Sequence, residues 1–243
     1  MQPEPQQPFV NNHAAPDKGV INLQAGTLKL SGPTFLGNEG SLVQSTCDGN
    51  FIDAQQTAFT NNNVKDLGVI LLLAGKLNLM DSTLAGNVGN GITFGEAASA
   101  TINHCTFADN VAAGEQTLIS VGADSGPIIF EGCSFRNNNA ARGGVLVLPS
   151  SFDSVNMTNC SYYDNNAATN GGVFFAPSCA SGLHFEAPVF SGNTAQRGAV
   201  GLIITTKPLW RGTAWHLSAI RFSGNETMPV TMVTTSPCSA QVH

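Results

Sequence analysis

Charge is scarce in this chain of 243 residues: Asp, Glu, Lys and Arg together make up only 11% of it. A helical surface normally carries a charged stripe, and its absence beside 26 Gly and abundant Asn leaves strand and turn chemistry to dominate one or two domains. The ten basic residues are scattered and the formal charge is -6, so no basic surface exists to neutralise phosphates. Nucleic acid and anionic membranes are excluded as partners on that ground. Long apolar runs are missing too. The longest, Val69 to Ala74, is far short of the roughly 20 residues that cross a bilayer, so it reads as a buried strand and no membrane-spanning segment is expected. Met1 to Pro8 has neither the positive start nor the apolar segment of a secretory signal. The expectation is a chain not exported by that route, or a mature segment or fragment.

What the chain does have is a repeat. The stretch Cys133 to Leu148 carries an aromatic-x-x-Asn element followed by a Gly-rich entry into an apolar run, and versions of it recur at Phe35/Asn38, Phe59/Asn62, Leu84/Asn87, Phe107/Asn110, Phe135/Asn138, Tyr162/Asn165, Phe190/Asn193 and Phe222/Asn225. Successive anchors stand 23 to 32 residues apart. Positions not used to build this alignment agree with it. Five residues before the anchors stand Leu30, Ala54, Leu79, Ile102, Phe130, Met157, Phe185 and Leu217; seven before stand Leu28, Ile52, Leu77, Ala100, Ile128, Val155, Leu183 and Trp215. Both columns are apolar, and the column between them, Lys29, Asp53, Asn78, Thr101, Ile129, Asn156, His184 and His216, is polar at all but Ile129. That alternation is a strand with one buried face.

After each anchor Asn comes a bend and a second apolar run, as in Val69 to Leu73, Val145 to Leu148 and Val173 to Phe175. A unit this short cannot bury its apolar side alone, whereas stacked units share a continuous core. The fold expected is all-β, a right-handed parallel β-helix of about eight coils whose rungs stand roughly 4.8 Å apart. Residues 20–233 form it, residues 1–19 are a leader or N-terminal cap, and residues 234–243 are a C-terminal tail. The anchors become an aromatic stack, and Asn38, Asn62, Asn87, Asn110, Asn138, Asn165, Asn193 and Asn225 a ladder of amides. Asn suits such a ladder because it both donates and accepts, where a column of Asp would repel itself.

The pairing of Phe135-Arg-Asn-Asn138 with Gly143-Gly-Val-Leu146, of Tyr162-Tyr-Asp-Asn165 with Gly171-Gly-Val-Phe174, and of Phe190-Ser-Gly-Asn193 with Gly198-Ala-Val resembles the polymorphic outer-membrane protein repeat, over about residues 28–233. That resemblance implies a right-handed β-helix of the pectin-lyase-like kind, on a cell surface or secreted, acting as an adhesive or structural module without catalytic residues. Its partner would be a cell-surface protein or glycan. The C-terminal barrel of such proteins has no counterpart after Val233.

Reactive side chains form no obvious constellation. Cys105, Cys133 and Cys160 share the position two before the anchor and read as a buried thiol column. An adjacent-rung disulfide is awkward for parallel side chains, and Cys179 could pair with Cys238 only if the tail folds back. His184 and His216 stand in one outward column without a third ligand, and Asp109 and Asp164 sit where other coils have Gly or Asn, as turn residues do. Catalytic, cofactor and metal residues are therefore assigned to none. The alternative function is a polysaccharide lyase or hydrolase on the same fold, which needs clustered carboxylates. Asp48, Asp53, Asp66 and Asp81 lie on neighbouring coils but in different columns. The sequons at Asn156 and Asn225 are glycosylation candidates, while that at Asn159 falls in a tight bend. The widest spacing holds Lys207, Trp210 and Arg211, the candidate contact loop.

Overall fold

The computed structural model describes residues 7–15, 18–112, 114, 116–176, 182–205, 216–218, 221–223, 230–234 and 241–242, with side chains up to residue 201. Strands fill these residues and no helix occurs among them. Every strand pairs with its counterpart one coil away, in parallel.

Three faces follow one another around each coil. The first runs through Thr27–Ser31, Phe51–Gln55, Ile128–Glu131, Val155–Thr158 and Leu183–Glu186. Its register joins Leu28, Ile52, Leu77, Ala100, Ile128, Val155 and Leu183 in one ladder, and Leu30, Ala54, Leu79, Ile102, Phe130, Met157 and Phe185 in another. These are the two apolar columns of the repeat. Because successive side chains alternate across a strand, both columns point into the core and Asp53, Asn78, Thr101 and Asn156 point out.

The second face is a nine-stranded ladder of short strands that carries the anchors. Phe35 and Phe59 stack at 4.9 Å between ring centroids, Phe107 and Phe135 at 4.8 Å, Phe135 and Tyr162 at 5.2 Å, and Tyr162 and Phe190 at 4.9 Å. Leu84 interrupts the stack and is itself fully buried. Each such stacked pair contributes about 0.5–1.5 kcal/mol beyond the area it buries.

The third face carries the second apolar runs, with Ile21, Val43, Ile70, Ile92, Ile119, Leu146 and Phe174 in register. Gly201 follows Phe174 in that column, and a Cβ there would collide with the Phe174 ring, so the large ring of one coil takes the space a side chain would need in the next. In the middle of the molecule, Asn63–Met80 and Val88–Asn103 run without a break from the third face into the first, which joins those faces into one 16-stranded sheet.

The repeat extends past both expected boundaries. Phe9–Val10 pairs with Phe35 and Leu36, and the Phe9 ring stacks on Phe35 at 4.5 Å, so the segment read as a leader or cap supplies a further rung. Phe9-Val-Asn-Asn12 matches the anchor pattern, but Glu4 and Gln2 stand where its apolar columns should be. The flanking positions therefore concealed it. At the other end Gln241–Val242 pairs with His216–Leu217, carrying the ladder into the segment read as a tail.

Candidate functional site

The most ordered polar assembly lies in the bend after the anchor. From Asn38 to Asn165, each Oδ1 accepts both the backbone N–H and the Nδ2 of the Asn one coil earlier, and each Nδ2 also donates to the carbonyl of the preceding coil's anchor residue. Asn138 shows the pattern: its Oδ1 receives Asn110 N at 3.2 Å and Asn110 Nδ2 at 3.0 Å, and its own Nδ2 reaches Asn165 Oδ1 at 2.9 Å and Phe107 O at 3.0 Å. Asn38, Asn62, Asn87, Asn110, Asn165 and Asn193 repeat it as buried rungs. Asn12, which the alignment omits, begins it by donating to Asn38 Oδ1. Asn225 lies outside the described residues. This assembly is structural: every polar atom of it is spent on the neighbouring coil.

The bend before the anchor holds the thiols. Cys105, Cys133 and Cys160 are free and buried, and donate to the carbonyls of Asn103, Glu131 and Thr158 at 3.2, 3.5 and 3.4 Å. Hydrogen bonding to Cys133 and then burial push the Cys105 and Cys160 thiols far above the ordinary range, and the same contacts tilt Cys133 toward its anion. Burial raises Tyr162 as well, its hydroxyl donating to the Met157 sulfur at 3.1 Å. Cys47 is exposed and free; Cys179 and Cys238 lie outside the described residues.

The outer side of the first face carries a shallow groove of about 400 Å³. Two outward columns build it, Phe51, Lys76, Ser99 and Pro127 beside Asn78, Thr101 and Ile129. Ser99 and Thr101 are short and half-buried among its lining residues, while Lys76 and Ile129 are exposed. Asp53 borders it, with its Oδ1 taken by the amides of Asn78 at 2.8 Å and Gln55 at 3.3 Å. No carboxylate is among the lining residues. Only one of these columns stood out in the sequence; the other lies one alternation step earlier in the same strands, and that step is the signal that finds the groove.

The other candidates remain apart. Asp48 lies in an exposed turn and Asp81 in a bend at φ 49°, away from the Asp53 column. Asp109 and Asp164 have φ of 57° and 52°, as turn residues in that column require. Asn156 is half-buried in the middle of a strand between Ile129 and His184. The backbones of His184 and His216 pair in register. Among the described residues no group of three or more His, Cys, Asp or Glu is placed to hold a metal ion. Lys207, Trp210 and Arg211 lie outside the described residues.

Comparison with known proteins agrees with this architecture. No curated protein and no solved structure matches the chain. The family model described as "right handed beta helix region" matches residues 48–208, more than half of the chain. The parallel register, the inward columns and that match lead to one conclusion: the chain belongs to the right-handed β-helix family.

Proposed function

We propose that this chain is a non-catalytic β-helix module, displayed on a cell surface or secreted, that uses the outer side of its first face to bind a glycan. The groove carries this reading. It is lined by the hydroxyls of Ser99 and Thr101 and by the amide of Asn78, which suit sugar hydroxyls, by the apolar ring of Phe51 and by Lys76, its single cation. Rungs about 4.8 Å apart set these contacts one after another along the axis, which favours an extended ligand over a compact one. Acid-base cleavage of a glycosidic bond uses paired carboxylates about 5 to 9.5 Å apart, and the groove is lined by none. The resemblance to polymorphic outer-membrane repeats supports the adhesive role and the location.

Binding of the full chain to immobilised neutral and anionic glycans tests the proposal. Lys76→Ala removes the groove's charge-assisted donor and is expected to weaken binding by roughly tenfold, about 1.4 kcal/mol. Absence of binding to any glycan, or binding untouched by Lys76→Ala and Phe51→Ala together, would sink it. Release of new reducing or unsaturated ends from a polysaccharide would instead establish the lyase or hydrolase alternative.

A further inference from the structure

We propose that Asn159 is an acceptor for an N-linked glycan and that Asn156, three residues earlier, is not. The proposal rests on the secreted or surface-displayed reading above. Both residues open a sequon, Asn156-Met157-Thr158 and Asn159-Cys160-Ser161. Their surroundings in the solenoid are opposite.

Asn156 is locked into the first face. Its strand is paired on both sides, with Ile129 in register on one and His184 on the other, and its side chain is half-buried between them. A sugar attached there would stand in the same outward column as Ile129, which lines the groove.

Asn159 stands in the bend that follows, exposed, at φ 53°, with its backbone N–H donating to Glu186 O at 2.9 Å. Asn tolerates that left-handed geometry better than most side chains do. Its amide makes no hydrogen bond to another described residue. The same position in successive coils is Gly32, Gln56, Asp81, His104, Gly132, Asn159 and Ala187, all with positive φ. Asn159 therefore has a rung without a side chain on one side and a rung with only a methyl on the other. The nearest bulky group of the column, the His104 ring, lies over Gly132. The following residue, Cys160, points into the core and is 1% exposed, so a glycan on Asn159 leaves the thiol column undisturbed.

In the reaction, Nδ2 of Asn159 forms a bond to C1 of the first sugar of a lipid-linked oligosaccharyl diphosphate. The C1–O bond breaks, the lipid diphosphate leaves with the electron pair, and one Nδ2 proton passes to base. Sequons in surface loops are the usual acceptors of this chemistry.

The test is expression of the full chain behind an added signal peptide in a eukaryotic secretory host. Glycans are then released enzymatically in ¹⁸O-water, and the peptides of all the chain, secreted or retained, are read by mass. The ¹⁸O label is expected at Asn159. Ser161→Ala, which ends that sequon without altering the bend residue, should abolish it, and Thr158→Ala, which ends the other sequon, should leave it. A label at Asn156, or an unlabelled Asn159 in the native chain, overturns the proposal. Because the signal peptide imposes entry, this result is independent of natural export. Finding the chain inside its own cells would remove the surface reading and leave the acceptor result standing.

Discussion

The two bends that flank the aromatic strand are built on different chemical terms. After the strand, the described coils place Asn at every rung from Asn12 to Asn193. Before it, the corresponding column reads Pro33, Thr57, Ser82, Cys105, Cys133, Cys160 and Pro188. The Asn amide passes a hydrogen bond to the next rung and receives one from the last, so each rung constrains its neighbours. The hydroxyls and thiols divide their bonds between the carbonyl two residues back in their own coil, as Ser82 does to Met80 at 2.7 Å and Thr57 to Gln55 at 3.2 Å, and the coil before, as Cys133 does to Ile102 O at 3.4 Å. Pro, Thr, Ser and Cys each fill this column, whereas Asn alone fills the other, where one side chain must bond in both directions through both of its polar atoms.

The contrast is open to measurement. Asn138→Leu should have the largest effect, a loss of about 1 to 3 kcal/mol, because it strands the buried donors of Asn110 and the carbonyl of Phe107. An unchanged denaturation midpoint would show that the ladder carries no energy. Alkali should act next, and on the other bend. Cys105 and Cys160 keep their protons when folded but lose them above the ordinary thiol range when unfolded. The contribution of these two thiols is then fully present below about pH 8.5 and falls as pH rises, by about 1 kcal/mol per thiol between pH 9 and 10, a window in which Cys133, tilted toward its anion, adds little change. Tyr162, also raised by burial, adds to the loss above about pH 10. Midpoints that stay flat between pH 8 and pH 10.5 would contradict this.

Cys133→Ser should be milder, costing about 1 kcal/mol or less, since Ser82 and Thr57 already serve at that position. A cost equal to that of Asn138→Leu would erase the distinction between the bends. Smallest of all is Ala187→Gly, at φ 48° in the bend before the anchor. Relief of left-handed strain outweighs glycine's added chain entropy there, for an expected gain of a few tenths of a kcal/mol, about 0.5. A lowered midpoint would mean that Ala187 is not strained.

Much of the architecture was legible before any coordinates. Leu28 through Leu183 and Leu30 through Phe185 pair in the register that alignment on the anchors predicts. The buried Asn rungs and the thiol column fall where the same alignment puts them. Phe9 and Asn12 escaped because that coil lacks its apolar partners upstream, and a repeat is recognised by agreement between columns rather than by one motif. The groove escaped for a different reason. Its lining brings together residues of different size from neighbouring coils, Phe51 and Lys76 beside Ser99 and Thr101, which no single repeat contains. The surroundings of Asn156 and Asn159 escaped for the same reason: Asn159 stands exposed in its bend between Gly132 and Ala187, while Asn156 is half-buried in a strand between Ile129 and His184.

By itself, then, the sequence determined the solenoid, its inward and outward columns and the chemistry of its bends. Parallel stacking makes those properties periodic, and periodicity can be read in one dimension. Only the tertiary structure decided where a concavity opens, how far the ladder runs at either end, and which of two neighbouring asparagines faces open space. Those depend on contacts between coils some 25 residues apart, such as Asn62 with Asn87, and on the size of side chains that no single repeat contains.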